Sequence, residues 1–361
     1  MLKVKRGHKS KGYWKRIYSI EVIPLFFKPL FLFRKADTLV LTYSTFKRHQ
    51  KNGKFVDPIV EYVVREVDDT PLILEKNQRF LRFHPSFYSS NELNILILLL
   101  CKGASLLMAL PVLILSRLLL KLNLADFDVD HLRTYVETHV VAIYFILQLL
   151  ISRPKQVYFA SQFSVESMAL CIACNVLNIK CSEIQHGNII KSSPIYNFSY
   201  AKERPNFFAS SFVVKNDMVK RVLLEAQRVE NENDVSVMPS NIKPDLQSRS
   251  LLVCLGVTDI PVSVEKFIVK SSYRNVIIRP HPGFKDLDFS AFENVTSLLR
   301  KKYIVVSESN SIENDLIKTS CILAGTSTVI IDGFTSGHNI YTWDARSFEM
   351  YEEYSSFINL I

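Results

Sequence analysis

From residue 155 onward, short apolar runs rich in Val, Ile and Leu alternate with helix-patterned stretches. This rhythm constrains the fold more than any other feature of the chain. Short strands buried on both faces and joined by helices can pair only in parallel, as doubly wound α/β layers. The pattern predicts strands over 155–160, 179–185 and 206–214, with helices over 164–177 and 217–226. It then predicts strands over 250–255, 275–279, 303–306, 321–324 and 339–342. Helices fall between these, around 262–271, 289–301, 311–318 and 327–336, with a last one starting near Ser347. Upstream, 37–43 reads as a strand and 129–152 as a helix, while 45–90 resists assignment.

A chain of 361 residues is long enough for two such layers. The expected fold is two Rossmann-like doubly wound α/β domains facing across a cleft. The expected division is a basic lead-in at 1–35, an N-terminal domain over 36–238, a polar linker over 239–248 and a C-terminal domain over 249–361. An apolar helical insert is expected at about 93–124.

Residues 1–35 hold ten Lys/Arg and one acid, Glu21, so this segment alone carries the formal net charge of +9. A neutral body with a basic head lacks the broad basic face that nucleic acid requires. It suits a local contact with an anionic membrane surface, or simply a solvated terminus. Within 93–124, Lys102, Gly103, Pro111 and Arg117 interrupt the apolar run, leaving a length suited to a core or in-plane helix. Cys171 and Cys174 form a C-x-x-C inside a helical pattern with no second pair or His nearby. Buried core cysteines in a reducing cytoplasm follow.

Glycine is scarce, with 10 in the chain, so its placement is informative. Gly187, Gly256, Gly283 and Gly325 each follow a predicted strand, where α/β folds turn and the backbone meets ligands. Three constellations stand at such positions. Ile184-Gln185-His186-Gly187 places an imidazole at a strand end, either as a proton acceptor or as a partner for a neighbouring loop. Arg279-Pro280-His281-Pro282-Gly283 places a guanidinium and an imidazole two residues apart on stiffened backbone, both able to donate to phosphate oxygens. Gly325-Thr326-Ser327-Thr328 opens a helix, which gives either an anion site or an ordinary N-cap. Asp332, about one turn further on, can hold a sugar hydroxyl. P-loop, dinucleotide-fingerprint, nucleophile-elbow and zincin motifs are absent from the sequence.

In their order, IQHG, RPHPG and GTSTVIID resemble the motifs of GT-B-fold bacterial glycosyltransferases of surface-polysaccharide assembly. The likeness is to capsule and lipopolysaccharide enzymes with a His-Pro motif, of sialyltransferase and Kdo-transferase type, and to CDP-glycerol glycerophosphotransferases. It covers residues 155–345. The resemblance implies His186 as general base, with Gly187, Pro282 and Gly283 as supporting loop residues. It implies Arg279, His281, Gly325, Thr326, Ser327, Thr328 and Asp332 at the donor, with no metal and no bound cofactor.

The function so implied is an inverting glycosyltransferase. It moves a sugar from a nucleotide-activated donor to a growing surface polysaccharide or lipid-linked glycan, with the enzyme peripheral on the inner membrane. A UDP-sugar epimerase of the same fold, a CDP-polyol phosphotransferase and a non-catalytic polysaccharide-assembly protein are the alternatives.

Overall fold

The computed structural model describes residues 32–43, 49–51, 54–76, 88–89, 91–92, 98, 100–108, 111, 129–160, 164–185, 187, 189, 206–226, 229, 231–238, 242–256, 259–280, 292–301, 303–309 and 312–361. Most of the basic head and of the 93–124 insert therefore lies outside the described residues, although 100–108 are helical as expected. The described residues from 32 to 184 (49–50 apart), with 206–211, pack as one unit. Residues 49–50, 185, 187 and 189, with those from 212 onward, pack as the other.

The first sheet draws on β1 (Thr38–Tyr43), β4 (Leu72–Lys76), β5 (Asn91–Glu92), β6 (Gln156–Ala160), β7 (Lys180–Ile184), β8 (Ser211–Val214) and β9 (Val235–Val237). Two short strands, β2 (His49–Lys51) and β3 (Lys54–Val56), pair with each other. The order across the first sheet is β5-β4-β1-β6-β7-β8-β9. Leu39 stands level with Leu72 on one side and Val157 on the other, in parallel register. Every residue of β1 is buried, as expected of a strand covered on both faces.

Helices fill the crossovers. α1 (Pro58–Glu66) starts where the Asp57 carboxylate accepts from the amides of Ile59 and Val60, with Pro58 in the first turn. α2 (Val129–Ser152) packs against α3 (Val165–Leu177). Cys171 and Cys174 lie fully buried in α3, with Cys171 Sγ 3.9 Å from Cys181 Sγ. They are core thiols, as the sequence predicts.

The second sheet comprises β10 (Ser250–Cys254), β11 (Asn275–Arg279), β12 (Ile304–Val306), β13 (Cys321–Ala324), β14 (Asn339–Thr342) and β15 (Ile358–Leu360). Its order is β12-β11-β10-β13-β14-β15, all pairs parallel. Counted from its own first strand this is 3-2-1-4-5-6, the Rossmann order, whose direction reverses between β10 and β13. α4 (Asp217–Glu225) joins β8 to β9 of the first sheet, and the helices that accompany the second are α5 (Val262–Lys270), α6 (Glu293–Leu299), α7 (Ile312–Ile317), α8 (Val329–Ser336) and α9 (Arg346–Met350). Leu251, Val253, Val264, Ile278, Val295 and Leu323 form the core of this layer. A Cβ at Gly333 would collide with Ile322 Cδ1, so a larger residue at this point of α8 requires the end of that side chain to shift.

The α/β reading holds in both sheets, with corrections in detail. The strand expected over 206–214 is only Ser211–Val214, and 206–210 form a turn region. The unassigned 45–90 stretch contributes β2, β3, α1 and β4, and β15 was not foreseen.

Candidate functional site

In an open parallel sheet, ligands settle beyond the strand C-termini where the order reverses. In the second sheet that point lies between β10 and β13. Register places Cys254, Arg279 and Ala324 level with one another, and Ala324 level with Thr342. Gly256, Pro280, Gly325 and Trp343 follow these residues directly or by one position, so all four stand at one edge. The Trp343 ring lies so close to Gly325 that a Cβ there would be 3.1 Å from it. A side chain there would require the ring to give by a few tenths of an ångström.

The Gly325–Thr328 turn opens α8. Ser327 Oγ accepts weakly from the amide of Val329 at 3.4 Å, and Thr328 makes no side-chain capping bond. Thr326 is exposed. Hydroxyls and first-turn amides therefore stand together at the positive end of a helix.

Asp332 sits in the first turn of α8 and is ion-paired with Lys215, one residue beyond β8. Both side chains are only part-buried. The next residue, Asn216, caps α4 by accepting from the amide of Val219 at 3.0 Å. Its amide nitrogen donates to Thr335 of α8 at 2.9 Å, and Tyr354 donates to its oxygen at 3.1 Å. The chain end of β8 is thus fastened to α8 at two successive residues.

The same end of β8 holds the His-Gly loop. Buried Gln185 accepts from the Lys215 amide at 2.8 Å and donates to the Gly187 carbonyl at 3.1 Å. Its own amide donates to Val213 at 2.8 Å. A chain of contacts therefore runs Gly187, Gln185, Lys215, Asp332. It joins the two residues flanking His186 to the helix that follows Gly325. His186 itself lies outside the described residues.

Arg279 is placed differently. Its Nη1 is ion-paired with Asp315 of α7 and donates to the Ser309 carbonyl at 3.2 Å, while Ser307 Oγ donates to Asp315 at 2.7 Å. Asp315 is almost wholly buried and Arg279 nearly so. The guanidinium here ties β11 to α7 and the loop before it. His281, Pro282 and Gly283 lie outside the described residues, so of this motif only Arg279 and Pro280 are placed. Beneath this edge, burial pushes the Cys254 thiol up to about 12; nearby Arg279 opposes the shift and Asp315 and Asp332 add to it.

The corresponding edge of the first sheet is also polar. Thr42 stands level with Glu75, and Tyr43 with Lys76. Lys76 is ion-paired with Glu166, while Tyr43 bonds Ser164 and lies 3.1 Å from Ser167. Thr42 donates to buried Asp57, whose carboxyl is pushed up to about 6, chiefly by burial against its hydrogen bonds.

Gln185, Lys215 and Asp315 escaped the sequence reading. Lys215 carried a usable signal, because it follows the SFVV strand as His186 follows its own. No glycine marks that strand end, and glycines were the guide. Gln185 is legible only once register brings β8 beside β7.

No protein family matches the chain, and no curated protein matches it. Solved structures do resemble it at low identity. The UDP-GlcNAc 2-epimerase from Methanocaldococcus jannaschii is 13% identical, with 90% of this chain and 88% of that one covered and a TM-score of 0.48. The UDP-GlcNAc 2-epimerase from Neisseria meningitidis bound to UDP-GlcNAc is 11% identical, with 90% and 87% covered and a TM-score of 0.48. The lipopolysaccharide outer core galactosyltransferase WaaB is 9% identical, with 84% and 80% covered and a TM-score of 0.43.

Proposed function

We propose that this chain is an inverting glycosyltransferase of GT-B type, using a nucleotide-activated sugar to extend a surface polysaccharide or lipid-linked glycan. One observation carries the reading. The reversal point of a 3-2-1-4-5-6 sheet is flanked by Gly256 and by the Gly325–Thr328 helix opening, with Asp332 paired to Lys215. A nucleoside diphosphate suits that edge: its phosphates take the amides and hydroxyls at the start of α8, where the helix dipole favours negative charge. In this reading His281 donates to the same phosphates, and Arg279 holds the strand end that presents it.

The chemical step follows from that seating. The acceptor oxygen forms a bond to the anomeric carbon of the donor sugar as the bond from that carbon to the phosphate oxygen breaks. His186 takes the acceptor proton, and the leaving charge stays on the nucleotide phosphates beside the helix N-terminus. The basic head holds the protein on an anionic membrane surface where a lipid-linked acceptor lies.

The test is product analysis by nuclear magnetic resonance after incubation with candidate nucleotide sugars and membrane lipid extracts. Free nucleotide formed only when the acceptor extract is present, with sugar on the acceptor, supports the transferase. Conversion of the nucleotide sugar into its epimer without acceptor replaces it with the epimerase.

A further inference from the structure

α2 has two unlike faces. Val141, Ala142, Phe145 and Leu149 are buried, on the side where α2 meets α3. Tyr135, Ile143, Leu147 and Leu150 are exposed, Ile143 at 60%. With exposed His139 they fall on one strip about 120° wide at roughly 100° per residue. From Thr138 to Ser152 the sequence contains no Asp, Glu, Lys or Arg. In the helical residues 100–108, Leu106, Leu107 and Met108 are exposed too.

Arg133–Ser152 is long and apolar enough to cross a membrane, but its inner face is committed to the fold. Fully buried Gln148 accepts from the Leu32 amide at 3.0 Å and donates to the Leu32 carbonyl at 3.1 Å. Ala36 donates to the Ser152 carbonyl at 3.1 Å. A spanning helix would break this clamp and strip the core face from α3.

The clamp also fixes where the basic head joins the fold. Leu32 is held at Gln148, and Phe33, Arg34 and Lys35 next to it are exposed, Phe33 at 84%. Asp37 at this end is already paired with Lys155. The helix that carries this uncharged apolar strip on its outer face thus also anchors Leu32, near the end of a segment carrying the chain's net charge of +9.

We propose that the exposed face of α2 docks on an anionic phospholipid bilayer, α2 lying in the plane of the surface, in a chain whose first 35 residues carry its net charge. Charge complementarity selects this occupant. Lipid headgroups neutralise the head while the strip enters the headgroup boundary, the two-signal arrangement that stable peripheral binding needs. A second copy docked on the same face would bring two basic heads together. The proposal deepens the membrane part of the functional reading and is independent of its catalytic part.

The experiment is flotation of the full chain with phosphatidylglycerol-rich vesicles and with pure phosphatidylcholine vesicles. Ile143→Asp with Leu147→Asp should lower partitioning onto the anionic vesicles by about tenfold or more, with the thermal midpoint retained because both positions are exposed. The emission of a Leu147→Trp variant, read against the wild type, should shift to the blue on those vesicles and be quenched by brominated acyl chains. Unchanged partitioning of the double variant, or an introduced tryptophan that the brominated chains leave unquenched, overturns the proposal. So does a double variant whose only change is the loss of a dimer in light scattering. Neutralising Lys3, Lys5, Arg6, Lys9 and Lys11 separates the two ideas: if that variant binds unchanged while the Asp variant does not, the α2 face stands and the basic-head reading falls.

Discussion

Lys215, one residue beyond β8, is ion-paired with Asp332 in the first turn of α8. The pair joins the strand end that holds the His-Gly loop to the helix that opens at Gly325. A part-buried pair held by neighbouring bonds should show measurable coupling. In a double-mutant cycle of Lys215→Met and Asp332→Asn, denaturant unfolding should give about 0.5–3 kcal/mol. Strict additivity would mean the pair does not hold these elements together.

Arg279 and Asp315 should behave as a structural unit. Arg279→Ala leaves a buried carboxylate uncompensated and should cost about 3–5 kcal/mol in urea unfolding. Arg279→Met with Asp315→Leu should recover much of that loss, since both charges leave together. A stable Arg279→Ala protein with weakened nucleotide binding would instead return Arg279 to the phosphates.

Asp57 makes the stability of the first sheet depend on pH. Its folded carboxyl is raised to about 6 from the ordinary 3.8, so the folded state holds the proton more tightly than the unfolded chain. The benefit is full below about pH 4 and is lost as pH rises to about 6. Asp57→Asn keeps an N-cap oxygen and should gain about 2–3 kcal/mol over the wild type at pH 8, with little gain at pH 4. Equal unfolding free energies at pH 8 would contradict the burial argument.

His186 should act on rate and not on donor affinity. His186→Ala should lower turnover by about 10²–10⁴-fold with donor binding nearly unchanged, and the wild-type rate should fall on the acid side through one imidazole ionisation. A variant that loses donor affinity and keeps its turnover would make His186 a phosphate ligand.

Much of the fold was legible because parallel strands buried on both faces leave unbroken apolar runs. SLLVC, NVIIR and CILA need no partner information to be recognised. What failed was local. Asn206–Ser210 look extended in composition but turn before β8, and β2 to β5 are short strands among mixed residues that carry no clear period. The placement of residues at the candidate edge was half legible. Gly325 and Asp332 announce themselves by strand-end grammar, and Arg279 does too. Its true partner, Asp315, lies 36 positions away in a short helix, and only the folded register reveals it. Sequence spacing shows which cations stand at an edge, but not which are already spent on a buried carboxylate.

The central claim is that the edge at Gly256 and Gly325 binds a nucleoside diphosphate, and thermal unfolding with CMP, CDP, UMP, UDP and GDP tests it most directly. A ligand at 100 times its dissociation constant stabilises the folded state by about 2.7 kcal/mol, enough to move the midpoint visibly. The account predicts that a nucleoside diphosphate raises the midpoint, and that Thr328→Val diminishes the rise without lowering the unliganded midpoint. If none of the five moves it at saturating concentration, this edge is not a nucleotide site and the transferase reading is wrong.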